Sequence, residues 1–75
     1  MRIDPAVAIS QLQEAARLQN SVVIGYVDPA GVATQRVVAP VNVRGGQLTA
    51  YDPATGRVRD FAIHRVTSVV SADEA

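Results

Sequence analysis

Three turn sequences divide most of the chain into short segments, and they constrain the fold more than any other feature. Asp28-Pro29-Ala30-Gly31 and Asp52-Pro53-Ala54-Thr55-Gly56 each place a proline early and a glycine late, as tight turns favour. Between them, Gly45-Gly46 is a strong signal for a hairpin turn. The separated segments are short and rich in valine, so the sequence predicts antiparallel strands joined by tight turns.

The pattern of apolar residues places the strands between these turns. The first four predicted strands cover 22–27, 34–43, 48–51 and 57–66, and His64-Arg65 then bends the chain into a last strand over 66–70. Pro40 interrupts the second strand and cannot donate a hydrogen bond to a ladder. We therefore expect that strand to lie at an edge or a bend rather than in the centre of a sheet.

A helix is predicted ahead of the strands. Asp4-Pro5 is a helix-start signature, because the aspartate can cap the first N–H groups and proline suits the first helical position. Ile9, Leu12 and Ala16 then recur at helical spacing. A helix of about fourteen residues is marginal alone, so this one must pack on the strands that follow.

These elements together predict a fold class that is mainly β with one N-terminal α-helix: a small five-stranded antiparallel barrel of the SH3 or Sm type. We expect a single domain over 1–75, made of a helix at 4–19, the barrel at 22–70 and a frayed tail at 71–75. A chain of 75 residues buries only about 60% of its unfolded surface, and it has no cysteine to form disulfides. Its core must therefore suffice, or be extended by a partner.

The charge balance excludes some functions and favours none strongly. The net charge is zero, which argues against a general nucleic-acid-binding surface. All seven basic residues are arginine, which fits either a selected preference for planar, bidentate groups or a GC-rich genome. The segment between Val32 and Val70 contains five arginines and two aspartates, a local excess of three positive charges. The predicted barrel is thus modestly cationic.

Several kinds of site have no signature in the sequence. One histidine and no cysteine cannot form a zinc site, so we expect no metal and no cofactor. The serines show no nucleophile motif, and Arg44-Gly45-Gly46-Gln47 lacks the lysine and helix of a phosphate-cradling loop. We therefore predict a protein that is not an enzyme. Without a signal segment or spanning stretch, we expect a cytoplasmic protein with no membrane association.

The segment 57–66 is the strongest candidate for a binding site, because it combines three arginines and the only histidine. In a regular strand Phe61 and Ile63 would share a face with Arg59 and Arg65. Both apolar residues are expected in the core, so the two arginines should be partly enclosed. Their charges then need Asp52, Asp60 or a bound anion as compensation. For Arg65, anion binding and a structural ion pair or carbonyl contact both remain open.

The other candidates have alternative interpretations that are structural. Arg36 and Arg57 fit solvated surface positions, although either could help to hold an anion. Tyr26 ends a strand on the face of core residues, so its hydroxyl is expected at the rim of the barrel. His64 fits a polar position on the outer face. The complete set of candidate ligand-binding or anion-binding residues is Arg65, Arg59, Arg36, Arg57, Tyr26 and His64.

Four segments, in order and spacing, resemble the WYL domain family. They are Val22-x-Ile24-x-Tyr26-x-Asp28-x-x-Gly31, Arg36-Val37-Val38-x-Pro40, Leu48-x-Ala50-Tyr51-Asp52 and Arg59-x-Phe61-x-Ile63-x-Arg65-Val66. The Trp-Tyr-Leu positions that name the family look like Gly46, Gln47 and Leu48 here, so the leucine is kept, with an expected place in the core, and the aromatic pair is replaced. The positions that carry over are Tyr26, Arg36, Arg59, Phe61 and Arg65, while His64 stands where the family usually has an acidic residue.

The resemblance implies an Sm-like barrel that senses a ligand, often a nucleotide or single-stranded nucleic acid. The pattern is most similar to the WYL-like segment that ends actinobacterial helicase-associated proteins. It therefore implies a regulatory module within a helicase-type, DNA-repair or transcription-related protein. The alternative function is a ligand-free interaction module, which contacts a protein partner or forms a homo-oligomer through open edge strands of the barrel.

Overall fold

The computed structural model describes residues 4–72, which form one helix, five strands and a short 3₁₀ turn. In chain order these are α1 (Pro5–Leu18), β1 (Val22–Val27), β2 (Ala33–Arg44), β3 (Gln47–Asp52), β4 (Arg57–Ala62), the 3₁₀ turn (Ile63–Arg65) and β5 (Val66–Ser71). Every predicted element is therefore present, and outside β4 the strand ends differ by at most one residue. β4 differs more, because it ends where the 3₁₀ turn begins.

α1 begins and ends as its terminal residues dictate. The Asp4 Oδ1 atom accepts a hydrogen bond from the Ala6 N–H at 2.8 Å, and Pro5 occupies the first turn. At the other end, Gln19 adopts a left-handed conformation and its N–H bonds back to the last turn of the helix. The buried face of α1 consists of Ala8, Leu12 and Ala15. The two alanines on this face let the helix lie close to the sheet.

The five strands form one antiparallel sheet in the order β4-β3-β2-β1-β5. This confirms the predicted fold class: mainly β, with one N-terminal helix. The barrel is not closed, because β4 and β5 are the two edges of the sheet and share no ladder in the described part of the chain. The first four strands pair consecutively as hairpins, and β5 joins the sheet by pairing with β1.

β2 lies in the centre of the sheet, which corrects the expectation that Pro40 excludes such a place. β2 pairs with β1 along its first half and with β3 along its second half. The β2–β3 register shifts at a bulge between Pro40 and Asn42. This break in the ladder accommodates a proline, which has no N–H to donate. The predicted bend is therefore present at Pro40, and the half of β2 that contains it pairs with β3 alone, although β2 as a whole is central in the strand order.

The two-residue hairpin between β2 and β3 forms where the glycine pair predicts it. Arg44 pairs with Gln47 across the turn, and Gly45 and Gly46 have φ angles of 58° and 76°. Two consecutive left-handed residues give the turn whose twist matches that of paired strands. The Gly46 carbonyl also accepts the Ile63 N–H at 2.9 Å, which ties this hairpin to the 3₁₀ turn.

The core lies between α1 and the inner face of the sheet. Its buried cluster comprises Leu12, Ala15, Val22, Ile24, Val38, Leu48, Ala50, Phe61, Ile63 and Val66. The predicted core positions of Phe61, Ile63 and Leu48 are confirmed. With one phenylalanine and no tryptophan, the core is thin and relies on close packing of aliphatic residues.

The C-terminal end of the described chain is more ordered than the predicted frayed tail. Ser71 belongs to β5, and the Ala72 N–H donates to the Ser21 carbonyl at 3.1 Å. The remainder of that predicted tail, 73–75, lies outside the described residues. Between residues 4 and 72, no helix combines the length and apolar character that a bilayer crossing requires.

Candidate functional site

A buried carboxylate interrupts the apolar inner face of the sheet at the end of β3. Leu48 and Ala50 are fully buried, and Asp52 continues the same alternation with 1% of its surface exposed. It is the buried charged residue of the described chain. A buried carboxylate is stable only when hydrogen bonds and opposite charges compensate it.

Asp52 is compensated by two arginines and a turn. Its Oδ2 atom lies 3.3 Å from Arg36 Nη1 and 3.6 Å from Arg59 Nη1. Its Oδ1 atom accepts the Ala54 N–H at 2.9 Å, which holds the carboxylate within the Asp-Pro turn that follows β3. Across residues 4–72, no buried side-chain nitrogen or oxygen atom lacks a hydrogen-bond partner. We call Arg36, Asp52 and Arg59 the Asp52 cluster.

The strand register explains why these three side chains meet. β3 lies between β2 and β4. Arg36 precedes buried Val38 by two positions on β2, and Arg59 lies opposite Ala50 on β4, so both project from the inner face. The side chain of Arg36 is 33% exposed and that of Arg59 is 43% exposed. Each guanidinium group thus reaches from solvent to the same buried oxygen atom.

Two aromatic side chains adjoin the Asp52 cluster. The Arg59 guanidinium carbon lies 5.7 Å from the centre of the Phe61 ring, within the range of a cation–π contact. The Phe61 and Tyr26 rings meet edge to face, with centroids 5.3 Å apart. Tyr26 Oη accepts the Ala62 N–H at 3.3 Å. Tyr26 is therefore half-buried with its hydroxyl engaged by backbone, and it supports Arg59 through Phe61.

The charge near this end of the sheet is positive. Arg57 lies opposite Asp52 in the β3–β4 ladder and is exposed. Arg57 thus adds a third arginine next to the two that contact the Asp52 carboxylate, an excess of two positive charges over this carboxylate. A cavity of about 420 Å³ opens beside the cluster, and its lining includes Thr34, Arg36, Asp52 and Pro53. An anion that enters this cavity would meet the exposed donors of Arg36.

The other predicted candidates lie apart from this cluster in their contacts. Arg65 Nη1 donates to the Asp28 carbonyl at 3.1 Å, a contact of the kind that one of its open interpretations expects. The 3₁₀ turn breaks the strand alternation that placed Arg65 beside Phe61. His64 is exposed in that turn. Arg17 is not one of the predicted candidates. It pairs with Glu14 on α1, and this hydrogen bond and the glutamate charge raise the pKa of its guanidinium.

The sequence alone pointed to Asp52 only as one of several counter-ions. Its burial carries a signal in retrospect, because it follows Leu48 and Ala50 in the alternation of β3. Arg36 was expected at a solvated position, and it is less exposed than Arg59. Within residues 4–72, no three histidine, aspartate or glutamate side chains group as a metal ion requires.

One family model matches most of the chain. The family model described as "WYL domain" matches residues 7–71. Among solved structures, Proteasome accessory factor B/C (PafBC) of Arthrobacter aurescens is similar, with a TM-score of 0.83 and 23% identity. The match covers 91% of this chain and 11% of that chain, so this chain spans a small part of that protein. A likeness at this identity shows the fold alone. No curated protein matches the chain.

Proposed function

The chain belongs to the WYL domain family, and from that premise we propose that it is a non-catalytic module that binds a phosphate-bearing ligand. The ligand is a nucleotide or single-stranded nucleic acid, and the module serves a larger regulatory protein of the helicase, repair or transcription type. The observation that carries the proposal is the convergence of Arg36 and Arg59 on one buried carboxylate.

The geometry of the arginines supports a phosphate ligand. A guanidinium group has five N–H donors in a planar fork, and both Arg36 and Arg59 approach Asp52 through Nη1. The side chains are partly exposed, 33% for Arg36 and 43% for Arg59, so both are accessible to a ligand from solvent. One carboxylate cannot neutralise two cations, and phosphate oxygens match the guanidinium fork closely. The Asp52 cluster thus pre-orients two cations for a second anion.

The recognition proposed is of phosphate rather than of bases. Phe61 is only 3% exposed, and the Tyr26 hydroxyl is already bonded to backbone. The positions of the family's aromatic pair carry Gly46 and Gln47, which offer no ring to stack on a base. We therefore expect binding that depends strongly on salt and weakly on base sequence. Arg57 adds a third cation at the rim, and Arg65 contributes mainly to stability.

Oligonucleotide binding tests this function directly. The anisotropy of a labelled single-stranded oligonucleotide is measured at several salt concentrations for the parent protein and for the Arg36→Gln and Arg59→Gln variants. Each variant is expected to weaken binding about tenfold, the loss of ~1.4 kcal/mol. The slope of log K against log salt should fall in magnitude by about 0.7 per lost phosphate contact. A mononucleotide competitor distinguishes the two ligand classes.

Arg44→Gln is the matched control for these variants. Arg44 is an exposed arginine at the end of β2, beside the hairpin rather than the Asp52 cluster. The control removes the same charge, so a general electrostatic effect would weaken its binding as much. Equal binding by the parent, Arg36→Gln and Arg59→Gln would overturn the proposed function.

The open sheet supports a second candidate function, in which an edge strand pairs with another chain. β4 and β5 are edges, and such edges can add a strand from a partner or a second copy. Under this function the parent protein would show no salt-dependent binding of oligonucleotides. Association with a partner would instead survive changes to Arg36 and Arg59.

A further inference from the structure

The outer face of the sheet, opposite the core, carries a continuous row of apolar side chains. Val58 pairs with Tyr51, and Tyr51 pairs with Ala39. Two positions earlier on β2, Val37 pairs with Val23, which in turn pairs with Val70. Directly paired residues share a face of a sheet, and so do residues two apart on a strand. The outer row therefore consists of Val58, Tyr51, Ala39, Val37, Val23 and Val70, and it crosses all five strands.

The outer row is open to solvent. The exposed fractions are 60% for Val58, 42% for Tyr51, 47% for Val37 and 43% for Val70. α1 does not cover it, because Leu12 and Ala15 of α1 belong to the buried cluster on the inner face. Scattered exposed valines are ordinary, but a contiguous row across a whole sheet marks an interaction surface.

The flanks of the outer row are polar and nearly uncharged. Asn42, Thr49 and Asp60 form the neighbouring row on one side, and Gln35, Gly25 and Ser68 form the row on the other. The Asp60 carboxylate accepts a hydrogen bond from Thr49 Oγ1 at 2.8 Å. An apolar centre with a polar rim is the usual anatomy of a protein–protein interface.

We propose that the outer row is an interface between two copies of this chain, whose sheets pack face to face. The row has a valine at each end, so apolar groups lie opposite apolar groups whichever way it runs in the second copy. This self-complementarity is what a two-fold contact requires. The chain has zero net charge, so no overall repulsion opposes association.

The available area is sufficient for such a contact. The described chain has an accessible surface of 4807 Å², so the ~800 Å² per partner of a standard interface is about one sixth of that surface, the share of one face of a compact domain. Two sheets packed in this way lie about 10 Å apart and interdigitate their side chains. The contact would bury the outer row and give a small protein a second apolar layer.

The test measures molar mass by light scattering and sedimentation from micromolar to millimolar protein. The parent is expected to pass from monomer to dimer over this range. The double variant Val37→Thr, Val58→Thr should weaken the dimer at least about tenfold, because hydroxyl groups would replace methyl groups in a desolvated contact. Threonine keeps the β-branched shape and leaves the strand backbone unchanged. Circular dichroism and urea unfolding confirm that each variant is folded.

Two further variants make the result specific. Val32→Thr changes a valine that is 55% exposed outside the strands, and it should dimerise like the parent. Tyr51→Arg puts like charges into the contact from both copies and should abolish the dimer. A parent that stays monomeric at millimolar concentration overturns the proposal. A dimer unaffected by the double variant also overturns it, because that dimer would form through the strand edges.

Discussion

Arg36 Nη1 and Asp52 Oδ2 lie 3.3 Å apart, and this contact extends the association of β2 with β3 beyond their ladder. The last backbone partners at that end are Ala39 and Tyr51. Arg36 lies three residues before Ala39 on β2. Asp52 follows Tyr51 and is the final residue of β3. Arg59 reaches the same oxygen from β4. Ion pairs to one carboxylate on β3 therefore connect β2, β3 and β4 where β3 ends.

Removal of the Asp52 carboxylate should destabilise the protein. In Asp52→Ala, two arginines lose their shared anion and the Ala54 N–H loses its acceptor. We expect a loss of about 2–3 kcal/mol, less than for a fully buried pair because both arginines can hydrate. Asp52→Asn also removes the anion but retains an oxygen for the Ala54 N–H, so its loss should be smaller than that of Asp52→Ala by about 1 kcal/mol. Urea unfolding with an unchanged m-value measures both. Equal losses would contradict the separate role of the turn hydrogen bond.

The Tyr26 hydroxyl should contribute measurably to stability. In Tyr26→Phe the Ala62 N–H loses its acceptor while the edge-to-face contact with Phe61 stays, so we expect a loss of about 0.5–1.5 kcal/mol. Tyr51→Phe is the control, since Tyr51 is exposed on the outer face, and its change should remain within about 0.5 kcal/mol. Thermal and urea unfolding provide the comparison. A stability loss in the control that matches Tyr26→Phe would rule out this hydrogen bond as the cause.

Arg65 should act on stability through its donors. Arg65→Met keeps an apolar stem and removes the hydrogen bond to the Asp28 carbonyl, for an expected loss of about 1 kcal/mol. Arg57→Met removes the same charge from an exposed position on β4 and should change stability by less than about 0.5 kcal/mol. Oligonucleotide binding by folded Arg65→Met should stay within a factor of two or so of the parent. A larger loss of binding would make Arg65 a ligand contact.

The hairpin between β2 and β3 should tolerate only residues that accept a left-handed backbone. Gly46 has a φ of 76°, and a Cβ atom at this position would meet no atom within 4 Å. Any cost is therefore backbone strain rather than a clash. Gly46→Val should cost about 1–2 kcal/mol, whereas Gly46→Asn should be close to neutral, because asparagine adopts this conformation more readily. Similar unfolding midpoints for the two variants would argue that the turn changes its type.

The sequence predicted the elements well because each has a local chemical cause. Asp4-Pro5 begins the helix, Gly45-Gly46 makes the hairpin, and the alternation in β4 places Phe61 in the core. These signals act within a few residues of chain, so no knowledge of the sheet is needed. The fold class follows from them, and the order and spacing of four segments between Val22 and Val66 suggest the family.

The site was harder to predict because it depends on register. The bulge at Pro40 decides which residues of β2 and β3 meet, and a shift of one position would turn Arg36 to the outer face. The 3₁₀ turn similarly redirects Arg65, which strand alternation had placed beside Phe61. The exposure of the outer row was equally hidden, since it requires knowing which face α1 covers.

The pairing of β1 with β5 has a kinetic consequence. The other ladders join strands that are consecutive in the chain, whereas this one pairs Val22 with Ser71 across most of the domain. The entropy cost of closing the long loop between β1 and β5 must be overcome before Val66 can complete the core. Folding should therefore begin with the three hairpins and finish when β5 docks. In the native state β5 would be the first strand to detach, and its amide hydrogens would exchange ahead of those in β2 and β3.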